Sequence, residues 1–182
     1  MFALIFGLSF LANAQDVQKD QPKGYQFTDI KRLPATSVKD QARAGTCWSW
    51  SGISFFESEM IRMGKEPIDL SAMYIVRHAY SDKATKFVRL HGSMNFAVGG
   101  AFCDVMHVIK NYGIVPMDVY KGLNYGEPNH AFGEIDDVLA GYINAVIKNS
   151  NKKLSTAWKK GFDGILDAYL GEEPEKFEYK GK

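Results

Sequence analysis

The chain has 182 residues, 46% of them apolar, and a formal net charge of +1 from 22 basic and 21 acidic side chains. That length and composition suit one ordinary domain whose core needs no disulfide or metal staple. The charge balance gives nothing to attract nucleic acid or an anionic membrane, and two cysteines cannot build a disulfide framework.

Residues 1–14 read as an export signal. The apolar run is too short to span a membrane, and Ala12-Asn13-Ala14 is a small-residue cleavage site, although no Lys or Arg precedes it. This predicts a periplasmic or secreted protein with no membrane span. Residues 15–24 are polar and predict a flexible lead-in. Tyr25–Ile30 alternates apolar and polar side chains. Leu33–Gln41 reads as extended, because Pro34 excludes a helix.

A helix follows, with Ile53, Phe56, Met60, Ile61 and Met63 at apolar positions and Gly64 just past its end. Ser71 is placed to cap a second helix with apolar Met73, Ile75, Val76 and Ala79. That helix carries His78, and the Lys83, Lys86 and Arg89 after it read as a solvated basic face. The glycine-rich stretch 91–100 predicts a loop. A third helix over 101–111 would present Phe102, Val105, Met106 and Ile109, with Cys103 in the core and Gly113 as its stop. Residues 122–130 read as loop. Ile135, Leu139, Tyr142, Ile143 and Val146 predict a fourth helix. Leu154, Trp158, Phe162, Ile165, Leu166 and Tyr169 predict a fifth, with Ser155 or Thr156 as its cap.

Chemistry concentrates in Gln41-Ala42-Arg43-Ala44-Gly45-Thr46-Cys47-Trp48-Ser49-Trp50-Ser51-Gly52. Cys47 falls at the first turn of a helix, where unpaired N–H groups and the helix dipole favour a thiolate nucleophile. Gln41 brings two uncharged N–H donors. Folded back beside Cys47, its amide and the Cys47 backbone N–H would converge on an oxyanion. Gly45 permits a tight turn, and Trp48 and Trp50 would cover the site.

This stretch resembles the active-site motif of papain-like cysteine peptidases, with Gln41, Gly45, Cys47, Trp48, Ser51 and Gly52 at its fixed positions and Thr46 as a small departure. The resemblance implies an α+β fold, Cys47 as nucleophile and Gln41 as oxyanion donor. It also implies that Gly99 and Gly100 hold the backbone of an extended peptide substrate, with Trp48 in the same cleft. Asp69-Leu70-Ser71 and Tyr112–Tyr120 are similar to further family segments. The helical pair after residue 132 looks like the insertion of the bleomycin hydrolase and aminopeptidase C branch. Residues 25–132 are thus expected to be the helical lobe, and 133–182 the insertion. The branch also implies a homo-hexamer for the full-length enzyme.

A cysteine nucleophile of this kind needs an imidazole and a group to orient it. The usual spacing puts both about 130–150 residues past the cysteine, and residues 177–182 contain no histidine. The four histidines are His78, His91, His107 and His130; His91 and His130, in loops, stay open as bases. The expectation is an N-terminal piece of the enzyme, mainly the helical lobe, with the β lobe and its His and Asn missing. The competing expectation is a catalytically inactive lobe that binds peptides. A redox thiol role is disfavoured by the lack of a Cys-x-x-Cys pair, and no metal or organic cofactor is implied.

Overall fold

A computed structural model describes residues 24, 25 and 27–179. The predicted export signal and the lead-in through residue 23 lie outside the described residues. The chain divides into two units, 1–32 and 33–182. The described part of the first forms no helix or strand, and in it Arg32 pairs with Asp29 at 2.8 Å.

The second unit carries five helices: α1 (Cys47–Arg62), α2 (Ala72–Arg89), α3 (Phe102–Tyr112), α4 (Gly133–Ile147) and α5 (Trp158–Leu170). Among the described residues the β content is two isolated bridges, Arg43 with Ala131 and Leu70 with Pro116. This is the composition of a helical lobe without a sheet, as the sequence predicted.

α2 sits at the centre and touches all four other helices. Ser71 caps it as expected, its Oγ accepting from the Tyr74 N–H at 3.0 Å and donating to the Tyr120 carbonyl at 2.6 Å. At the α1–α2 joint the Ser49 hydroxyl donates to the Ala72 carbonyl at 2.7 Å. α4 and α5 cover the remaining side of α2 with Ile135, Leu139, Ile143, Phe162 and Leu166, all fully buried. Each such side chain contributes about 1.5–3 kcal/mol.

Several expectations change here. Lys83, Lys86 and Arg89 lie within α2 rather than after it; Lys86 and Arg89 are exposed, as a solvated basic face requires, but Lys83 is half-buried, and the first half of the helix is buried without a break over residues 71–80. Arg77 and His78 are buried with it. Arg77 is neutralised by Asp167 at 2.5 Å and by Glu173, which makes burial of the charge tolerable. Cys103 is exposed rather than core, because α3 buries only the narrow stripe of Val105 and Val108 and leaves Phe102 and Met106 outside. Met63 is exposed beyond the end of α1. α5 begins at Trp158 with Ala157 as N-cap and no side-chain cap, so neither Ser155 nor Thr156 performs that role and Leu154 is exposed.

Candidate active site

Cys47 is the first residue of α1 and is exposed. The residue before it, Thr46, is fully buried and spends its hydroxyl on the Trp50 indole N–H at 3.1 Å. It therefore supplies no side-chain cap to the helix. The Thr46 carbonyl takes the Ser49 N–H at 2.9 Å. The Cys47 and Trp48 N–H groups have no partner among the described residues, leaving donors open at the positive end of α1.

Gln41 is brought to the same place by a buried carboxylate. Glu57 lies on the core side of α1 with its side chain wholly buried. Its Oε1 accepts from the Leu70 N–H at 2.8 Å, and its Oε2 accepts from Lys39 Nζ at 2.8 Å and from the Thr36 hydroxyl. Lys39 also reaches Asp69 at 2.7 Å. Burial works against the Lys39 charge, but hydrogen bonds to Asp69 and Glu57 outweigh it and hold its pKa above the usual lysine value. The segment 36–39 is thus tied to the helix that Cys47 opens. Beyond it, Asp40 Oδ1 accepts the Ala42 N–H at 2.7 Å and steadies a left-handed residue, φ 51°, a conformation an alanine adopts only under constraint. Arg43 then pairs with 130–132: its N–H donates to the His130 carbonyl at 2.9 Å, and its carbonyl accepts from Phe132 at 3.2 Å.

The result is a cavity of about 440 Å³ whose wall includes Gln41, Cys47, Trp50, Ser51, Ser54 and Glu57 together with residues 35–39. The structure therefore brings Gln41 and Cys47 onto one surface.

Gly99 and Gly100 are exposed and outside the wall of that cavity, and Gly100 lies against Trp48. The Trp48 indole N–H donates to the Val98 carbonyl at 3.0 Å. A Cβ on Gly100 would stand 2.6 Å from Trp48 Cε2, so only glycine permits this approach. Gly45, with φ 65°, faces Val98 from the other side. Trp48 itself is 8% exposed. It fastens the glycine loop to the start of α1 and offers little surface of its own. Phe96 packs against Tyr80, Phe87 and Phe162 and belongs to the core rather than the cleft.

No histidine lines the cavity that holds Cys47. His78 is buried between Tyr74 and Tyr112, and burial together with Arg77 lowers its pKa to about 4. His91 lies just past α2 in a left-handed turn, and His107 is bonded to Asp82 at 3.1 Å. His130 stands edge-on to Trp50 with ring centroids 6.0 Å apart and lines a separate apolar pocket behind that indole; burial pushes its pKa down. Among the described residues no cluster of three or more His, Cys, Asp or Glu could hold a metal, and no helix is long and apolar enough to cross a membrane.

The sequence reading missed Glu57 and Lys39. A signal existed for Glu57: it stands four residues after Ile53, a charge on the apolar stripe of its helix.

No curated protein matches the chain. The profile of the papain family cysteine proteases matches residues 22–159. That match runs from before Gln41 through α1 to the start of α5, and with it the chain belongs to the papain family of cysteine proteases.

Proposed function

We propose that this chain is the nucleophile-bearing lobe of an aminopeptidase of the aminopeptidase C and bleomycin hydrolase branch, cleaving peptide bonds through a thioester acyl-enzyme. One observation carries the reading: Cys47, as the first residue of α1, and Gln41 share a cavity wall. Cys47 Sγ attacks the scissile carbonyl. The tetrahedral oxyanion is met by the free Cys47 N–H and the Gln41 side-chain amide. An imidazole takes the thiol proton and returns it to the departing amine, and water then hydrolyses the thioester. That imidazole and its asparagine belong to a β-rich lobe, which the described residues do not contain. In this reading α4 and α5 are the branch's insertion, the protein is exported, and the full enzyme assembles as a hexamer.

A second reading is favoured by the absence of an imidazole from the Cys47 cavity: a lobe that binds peptides without cleaving them. Turnover of a fluorogenic aminoacyl amide decides between them, measured on the chain, on a form extended past Lys182 and on each with Cys47→Ala. Activity in the extended form that Cys47→Ala abolishes supports the peptidase. Peptide binding without turnover in every form supports the second reading. An N-acetylated substrate cleaved as fast as the free amine would count against aminopeptidase action.

A further inference from the structure

We infer that Lys83 is a positioning residue for peptide recognition, holding the Gly99–Gly100 peptide unit so that the Gly100 N–H is presented to an extended substrate backbone. The inference rests on the peptidase reading above.

Lys83 projects from α2 and is half-buried; the charges of Asp104 and Asp136 act on it from a distance, yet among the described residues no carboxylate forms an ion pair with it. A half-buried ammonium that no carboxylate touches needs hydrogen-bond acceptors to complete its compensation. Its Nζ donates to the Gly99 carbonyl and, at 3.4 Å, to the Ala97 carbonyl. It also lies 5.4 Å from the centre of the Trp48 ring and 5.9 Å from that of Tyr80, a cation–π setting. The Trp48 indole N–H holds the carbonyl between them, that of Val98. Three successive carbonyls are therefore fixed from the protein side by one ammonium and one indole.

Gly100 is the counterpart. It is exposed, and its N–H and carbonyl make no hydrogen bond among the described residues. The Gly99 carbonyl and the Gly100 N–H belong to one peptide unit. A cation on that oxygen polarises the unit and strengthens the N–H as a donor. A free N–H and carbonyl on one exposed residue suit an extended peptide pairing in β fashion.

The test compares two alkylating agents on Cys47 in a Cys103→Ser background: a dipeptidyl chloromethyl ketone, which presents a peptide backbone, and iodoacetamide, which does not. Lys83→Met keeps the aliphatic stem over Trp48 and removes the charge. It is expected to slow the peptidyl label about tenfold, to leave iodoacetamide unchanged and to move the Gly100 amide proton upfield. Lys83→Arg should recover most of the rate. Lys83→Gln, a neutral donor, should fall between and serves as the second variant where the Met form does not fold. A peptidyl preference in wild type that survives in Lys83→Met and Lys83→Gln overturns the role of Lys83 alone. No peptidyl preference in wild type overturns it together with the peptidase reading.

Discussion

Lys39 Nζ stands 2.8 Å from Glu57 Oε2, joining the segment that leads to Gln41 to the helix that Cys47 opens. The carboxylate also holds the Leu70 N–H at 2.8 Å, so one buried side chain sets three pieces of chain around the candidate site.

Glu57→Ala would leave the Lys39 ammonium and the Leu70 N–H without this acceptor. The expected cost is about 3–5 kcal/mol in urea unfolding, the usual scale for breaking one half of a buried pair. The double variant Lys39→Met, Glu57→Ala should cost less than Glu57→Ala alone, because it also removes the ammonium that Glu57→Ala leaves with Asp69 as its one remaining carboxylate. A Glu57→Ala effect within about 0.5 kcal/mol of zero, as for an ordinary surface change, would remove Glu57 from this role.

Both cysteines are exposed and both sit in the first turn of a helix, so exposure alone does not separate them. Their surroundings do. The first turn of α1 has no acidic residue, whereas that of α3 contains Asp104, which accepts the Ala101 N–H at 2.8 Å and places a negative charge beside Cys103. Cys47 is expected to react several-fold faster with iodoacetamide near neutral pH. Peptide mapping by mass spectrometry reads the two rates, and equal rates would count against Cys47 as the nucleophile.

His78 gives a pH dependence. Burial, with help from Arg77, lowers its pKa from 6.5 to about 4. Glu173 lies 3.4 Å from Nε2 but is already bonded to Arg77. The unfolded chain takes up this proton near 6.5 and the folded chain only near 4. The stability linked to His78 is therefore complete above pH 6.5 and is lost as the pH falls towards 4. Its full size is about 3 kcal/mol. His78→Phe keeps an aromatic ring against Tyr112 and should flatten the fall in melting temperature over that range. An unchanged slope in the variant would show that other groups cause it.

Part of this molecule was legible because its signals are local. The helix that starts at Cys47, the Ser71 cap and the glycine stop after α3 each rest on a few adjacent residues whose backbone preferences are strong. The spacing of Gln41, Gly45 and Cys47 is likewise a property of one short segment. Boundaries were less legible where no such signal exists: α5 opens at Trp158 without a side-chain cap, three residues after the first polar candidate.

The chain alone therefore marked Gln41 and Cys47 as candidates by their spacing, and marked where most helices begin and end. Tertiary structure decided what surrounds them. Apolar periodicity tells which face of a helix must be covered, but not how many faces other helices will cover. The first half of α2 could be seen as buried all round only once α4 and α5 lay against it, and Cys103 as exposed only once α3 proved to bury a narrow stripe. The same holds for the long-range polar pairs. Glu57 meets Lys39 across 18 residues, Trp48 meets Val98 across 50, and Arg77 meets Asp167 across 90. A hydrogen bond needs its donor and acceptor within about 3 Å, and at such separations only the packed core sets that distance.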